Sequence, residues 1–222
     1  ETAQNSEQRS LDQVINDADL FLGLSGPNVL TPEMVAKMAA RPIIFALANP
    51  TPEIQPDAAR AVAPDAIIAT GRSDVPNQVN NVLCFPFIFR GALDVGATQI
   101  NDAMQIACVD AIAELARAST SAEAAAAYQG EQMTFGPDYL IPKPFDPRLS
   151  GVIASAVASA AMETGVATRV LDNIEAYKAE LDASVFKSAL LMRPVFESAR
   201  LAPRKIVFAE GEDERVLRAA QA

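Results

Sequence analysis

The stretch NQVNN places amide side chains at Asn77, Gln78, Asn80 and Asn81, directly ahead of a strongly apolar run, VLCFPFIFRGALD. Amides are poor helix formers, and they are costly to bury unless each donor and acceptor finds a partner. Asn80 and Asn81 therefore either cap the helix carrying that run or face a ligand that supplies the missing partners. A carboxylate suits the second reading, because amide donors, free backbone N–H groups and the positive end of a helix dipole all favour an anion. Asn49 poses a similar choice. It ends an apolar run just before Pro50-Thr51-Pro52, where Asn before Pro commonly starts a turn. An amide there can also exchange hydrogen bonds with a carboxamide such as nicotinamide.

Other chemistries are excluded or left weak. The chain has no histidine, which removes Ser-His-Asp, Cys-His and His-metal sites together. No G-x-G-x-x-G occurs, so the dinucleotide fingerprint is absent. The acidic run EGEDE, from Glu210 to Glu214, has the charge to hold a cation, but reads better as a solvated loop and helix start, where acids suit the dipole. Arg90 and Asp94 are spaced for an intrahelical ion pair, and Lys143, between prolines, for a surface lysine with a buried stem. Cys84 and Cys108 sit in apolar helical patterns and read as reduced, buried thiols.

The elements that must position the amides follow an α/β order. ADLFLGLS (18–25) is a short apolar run with the composition of a buried parallel strand. Thr31, Pro32 and Glu33 start a helix over 31–40. RPIIFALANP (41–50) is a second strand, 56–65 a short helix, and AIIAT (66–70) a third strand. This alternation predicts an open parallel sheet, and such sheets bind ligands beyond the carboxyl ends of their strands. Those ends are LSGPN, LANPTPE and TGRSDVPNQVNN. Beyond Asp94 the chain turns helical. Met104, Ile106, Ala107, Val109, Ile112 and Leu115 give 101–118 an amphipathic pattern. Three prolines extend 139–149, and a helical region over 150–200 breaks near Thr164-Gly165. A fresh strand at 205–209 then suggests a domain boundary close to Pro203.

Bulk properties agree with a packed domain rather than a polyanion binder. Half of the 222 residues are hydrophobic, and the formal charge is −10 with a pI near 4.5, which argues against sequence-independent nucleic-acid binding. GVIASAVASAA (151–161) is too short for a membrane span and is followed by Glu163. No membrane association and a cytoplasmic setting are expected. The chain begins without Met and ends within a helical pattern, so both ends read as cuts through a longer protein.

ADLFLGLSGPNVLTPEMV, PIIFALANPTPEI and IATGRSDVPNQVNNVLCFPFIFRGALDVGATQIN closely resemble the second half of the NAD(P)-binding domain of malic enzymes. The resemblance runs on through YLIPKPFDPRL and is to the bacterial NADP-dependent type. RKIVFAEGEDERVLRAA (204–220) resembles the opening of the phosphotransacetylase-like domain that follows in that type. The implied fold is part of a Rossmann-type parallel sheet followed by an extended helical region. The implied domains are 1–149, the C-terminal part of the NAD(P)-binding domain; 150–202, a helical connector; and 203–222, the start of the phosphotransacetylase-like domain.

The resemblance implies oxidation of malate with hydride transfer to NADP, NAD being the other option, and loss of carbon dioxide to give pyruvate. It places Asn49 against nicotinamide and substrate, Asn81 against the malate carboxylate with Asn80 beside it on the cofactor side, and Ser25 and Gly26 along the cofactor cleft. The family's catalytic Tyr and Lys, its phosphate-binding turn and the acids that hold Mg or Mn have no counterparts here. The chain alone is thus expected to be catalytically silent. Tyr128, Tyr139 and Tyr177 lie outside the matching motif. A homo-oligomer is expected, with acetyl-CoA as an effector acting through the C-terminal domain. A regulatory or assembly segment joining the two domains is the competing reading.

Overall fold

The computed structural model describes residues 9–118, 134–202, 207–209, 211 and 216. It divides into two units, Glu1–Asp182 and Ala183–Ala222.

The first unit opens with the α/β alternation expected from the sequence. In chain order it contains α1 (Leu11–Val14), β1 (Leu20–Gly23), α2 (Pro32–Val35), β2 (Ile43–Ala46), α3 (Pro56–Val62) and β3 (Ile67–Thr70). The strands form a parallel sheet in the order β1-β2-β3. Thr31 caps α2 as its residue type predicts, its hydroxyl accepting from the Met34 N–H at 3.3 Å. The helix is much shorter than the 31–40 span expected, and turns follow it.

One face of the sheet is buried. Phe21, Ile44, Ala46 and Ile68 pack there with Leu30, Val35, Ile54 and Ala59. The opposite face departs from the expectation of a fully buried strand, since Leu20 and Leu22 of β1 are 52% and 57% exposed. Parallel sheets normally carry cover on both faces, and here the cover of the second face thins toward β1: Ala69 of β3 is buried, and Ile43, Phe45 and Ile67 are half-buried. Alternate side chains of β1 are consequently left in solvent.

The rest of this unit is helical. A 3-10 turn at Asn81–Leu83 precedes α4 (Phe87–Asp94), followed by α5 (Asp102–Arg117) and α6 (Leu149–Glu163). Pro86 falls just before α4 as its N-cap, so its ring interrupts no helical turn. α6 is rich in Ala, Ser and Gly and is buried on several sides. At Gly91 of α4 an added Cβ would run into the carbonyl oxygen of Ala154, so the glycine lets the two helices approach closely. Among the described residues no helix is long and apolar enough to cross a membrane.

The buried stripe of α5 is Met104, Cys108, Ala111 and Leu115, the three- and four-residue spacing of a single helix face. Ile106 and Val109, which the sequence pattern grouped with the core, are 60% and 63% exposed. The break expected near Thr164-Gly165 is present, with α6 ending at Glu163 and α7 running Ile174–Leu201. Tyr177 of α7 donates to Asp94 Oδ2 at 2.7 Å, and Arg90 donates to the same oxygen. The predicted Arg90–Asp94 pair thus also anchors the first turn of α7.

The second unit begins within α7. Val207 and Phe208 belong to no strand, and Val207 is 92% exposed. The remainder of the strand expected at 205–209, most of the acidic run 210–214 and Tyr128 lie outside the described residues.

Candidate functional site

Register brings the three strand ends into one row: Gly23 of β1 stands beside Ala46 of β2, and Ala46 beside Thr70 of β3. Neighbouring strands in a sheet are about 4.8 Å apart, so the loops leaving these residues start close together. Ser25 is two positions beyond Gly23, and Asn49 three beyond Ala46.

Asn80 and Asn81 are ten and eleven positions beyond Thr70, yet the loop between folds back on itself. Thr70 N–H donates to the Asn77 carbonyl at 3.3 Å, and Val79 N–H donates to the Thr70 carbonyl at 2.8 Å. The chain therefore returns to the end of β3 before releasing the Asn pair.

Asn77, buried and in the left-handed region at φ +57°, locks this return. Its Nδ2 donates to the carbonyls of Ile68 (3.0 Å) and Pro137 (2.7 Å), and its Oδ1 accepts from Leu140 N–H (2.8 Å). Asn tolerates that backbone region better than most residues. The first amide of the quoted cluster is thus a structural latch.

Asn80 is a cap, its Oδ1 accepting from Val82 N–H at 3.1 Å, which leaves Nδ2 as its second polar group. Asn81 is exposed and starts the 3-10 turn. The helix-dipole argument for a carboxylate at this place fails, because the turn has three residues and α4 begins only at Phe87. Any anion here is held by amide donors instead. Asn49 is exposed beyond β2. Ser25 is exposed, and a Cβ built on Gly26 would meet no atom within 4 Å. The backbone at Gly26 thus borders open space, as it must where a ligand is to approach closely.

Sequence reasoning passed over Glu53. Its carboxylate is fully buried and accepts from the backbone N–H of Ser25 (2.9 Å) and of Ala48 (3.0 Å). It also passed over Arg72, which donates to Gln55 Oε1 at 2.8 Å and pairs with Asp74. Together these bonds tie the loop after β1 to that after β2, and the loop after β2 to that after β3. No local spacing marked either residue: Glu53 stands between Pro52 and Ile54 as any loop acid would.

A cleft among the described residues lies elsewhere. It measures about 750 Å³ and runs between the loop after β3 and the segment 134–145, with Asp74, Gln78, Asp138 and Lys143 among its walls. None of Ser25, Gly26, Asn49, Asn80 and Asn81 lines it. Lys143 is half-buried there rather than on open surface. Cys84 and Cys108 are free thiols, as predicted, with the Cys108 thiol donating to Cys84 Sγ at 3.5 Å. Burial first, and the neighbouring thiol second, push Cys108 up to about 12, so it is no nucleophile at neutral pH. Among the described residues no three His, Cys, Asp or Glu side chains cluster as a metal site.

Residues 1–128 match the family model described as "Malic enzyme, NAD binding domain". The chain is 61% identical to the NADP-dependent malic enzyme of Salmonella typhimurium, over 98% of its own length and 29% of that protein's. It is equally 61% identical to an NAD-dependent malic enzyme of Rhizobium meliloti, over 99% and 29%. Among solved structures, the malic enzyme of Entamoeba histolytica superposes with a TM-score of 0.73 at 34% identity, covering 92% of this chain and 40% of that one. The chain spans 29% of the length of each of these two curated relatives. With its parallel sheet and its strand-end loops, it belongs to the malic enzyme family, its residues 1–128 matching that family's NAD-binding domain.

Proposed function

We propose that this chain forms one wall of the active site of a malic enzyme: the side that holds the nicotinamide and the substrate carboxylate. The full-length protein oxidises malate, delivers the hydride to NADP and releases carbon dioxide and pyruvate. The observation that carries the reading is the row Gly23–Ala46–Thr70, from which the loops bearing Ser25 and Gly26, Asn49, and Asn80 and Asn81 all depart.

Each group then has a task suited to its chemistry. Gly26 admits the cofactor to the backbone, and Ser25 sits beside it. Asn49 presents both a donor and an acceptor, which complements the nicotinamide carboxamide and also reaches substrate. Asn81 donates to the malate carboxylate. Asn80, its oxygen committed to Val82, contributes on the cofactor side through Nδ2. The described residues thus fit a nicotinamide cofactor.

They do not fit Mg or Mn. That ion's ligands, with the family's proton-transfer residues, are assigned to other parts of the full-length protein. NADP supplies the hydride acceptor, and the ion supplies Lewis-acid polarisation of the substrate oxygens. NADP is taken over NAD from the likeness to the NADP-dependent bacterial type, although relatives of both kinds are equally similar.

The same reading extends to a cytoplasmic homo-oligomer in which 1–149 completes the NAD(P)-binding domain, 150–202 connects, and 203–222 opens a phosphotransacetylase-like domain through which acetyl-CoA acts. Its support is the identity sustained over 98% of the chain with a much longer relative. The test is direct. Full-length protein given malate, Mg and NADP forms NADPH and pyruvate in equal amounts, and acetyl-CoA lowers the rate. No NADPH from malate with either nicotinamide cofactor overturns the catalytic reading, and an unchanged rate removes the effector.

A further inference from the structure

Glu53 lies where two strand-end loops meet. Its backbone runs along the loop after β1, with Asn28 N–H donating to the Pro52 carbonyl (3.2 Å) and Leu30 N–H to the Glu53 carbonyl (3.1 Å). The side chain is 0% exposed and turns toward the strand ends. Oε1 accepts from Ser25 N–H at 2.9 Å and from the Ser25 hydroxyl at 3.4 Å. Oε2 accepts from Ala48 N–H at 3.0 Å. Both oxygens thus receive a backbone N–H. A buried polar group is tolerated only where its hydrogen bonds are made, and an apolar residue of similar size would fill this space without that demand. An acid kept at such a joint calls for a reason beyond packing.

The chain also makes room for it. Gly23, the last residue of β1, faces the carboxylate so closely that an added Cβ would stand 2.5 Å from Glu53 Cδ and 2.6 Å from Oε1. The same Cβ would stand 2.7 Å from Phe21 Cε1, so the glycine makes room for the acid and the core ring together.

We propose that Glu53 is a positioning residue for the cofactor, resting on the nicotinamide reading above. It fixes the Ser25–Gly26 loop against the Asn49 loop by holding Ser25 and Ala48 on its two oxygens. The two sides of the nicotinamide cleft thereby keep one separation. It acts through those neighbours and touches neither cofactor nor substrate. The malate-carboxylate contact at Asn81 lies on the third loop, which Glu53 does not bond and which joins the second loop through Arg72 and Gln55.

The test uses the full-length protein with Glu53→Gln, Gly23→Ala and the double variant. In Glu53→Gln the new NH2 faces an N–H donor, and one clasp bond is lost. Gly23→Ala keeps the acid but displaces it. Leaving a buried hydrogen-bonding group unpaired corresponds to roughly a tenfold loss or more. Each single variant is therefore expected to raise the cofactor KM, and the Kd for NADPH, by about tenfold. The malate KM at saturating cofactor and kcat should stay within about threefold, and the double variant should fall short of the product of the singles, as coupled sites do.

Folded variants with unchanged cofactor affinity and only a lowered melting temperature would overturn the proposal, since that is what a purely structural clasp produces. Equal rises in cofactor and malate KM would overturn it too. Should Glu53→Gln fail to fold, Gly23→Ala decides by the same readouts. A wild-type protein that binds neither NADP nor NAD contradicts the nicotinamide reading itself, an outcome separate from any effect of the variants.

Discussion

At the scale of single residues, the amides divide into those that build the site and those that face outward. Asn77 makes three hydrogen bonds while buried. Replacing it with Ala removes three hydrogen bonds, each contributing about 1 kcal/mol. Asn77→Ala should therefore lower stability by about 2–4 kcal/mol, read as a drop in the denaturant midpoint. Asn80 was open to two readings in the sequence and the structure gives it a cap. Glu53 was not legible at all. A lone acid between Pro52 and Ile54 looks like any loop residue until the register of β1 and β2 brings Ser25 and Ala48 to its two oxygens. Three-dimensional closure supplies that information, and local spacing does not carry it.

At the scale of elements, the strands and their order were readable, because short apolar runs punctuated by Gly and Pro alternate with capped helical starts. The lengths of helices were less so. α2 stops after one turn, since a cap and a proline specify where a helix starts but not how far it continues. The inward face of α5 was partly misread, because Ile106 and Val109 are as apolar as the residues that do face inward. Packing against α6 selects the Cys108 face. Close approach of α4 and α6 depends on Gly91. Gly91→Ala forces a methyl group into a carbonyl and should cost about 1–3 kcal/mol, measured by thermal unfolding, with a larger effect than the ordinary helix-propensity gain from Ala. Asn101 caps α5 through Met104 N–H at 3.0 Å and donates to Thr164 Oγ1 at 2.9 Å. Loss of the cap in Asn101→Ala should cost about 1 kcal/mol.

At the scale of the whole molecule, two buried hydroxyl- and thiol-bearing groups set an alkaline limit. Cys108 is raised from 9.0 to about 12, chiefly by burial. The Tyr177 phenol is raised by burial and then by its bond to Asp94. At a pH above the ordinary thiol value the unfolded chain has released protons that the folded chain still holds. Folding then takes up protons, and stability falls as pH climbs from about 9 toward 12. A denaturant midpoint that declines over this range, and declines less in Cys108→Ala or Tyr177→Phe, is the expected result.

The family was legible for a different reason: long motifs at the strand ends carried a likeness that the family match bears out. The central claim is that the loop after β3 presents a substrate contact, and Asn81→Ala in the full-length enzyme tests it most directly. Steady-state kinetics at saturating NADP should show malate kcat/KM lowered by about tenfold or more, the loss of one hydrogen bond to a charged group, with the NADP KM nearly unchanged. Wild-type kcat/KM for malate in that variant would contradict the account.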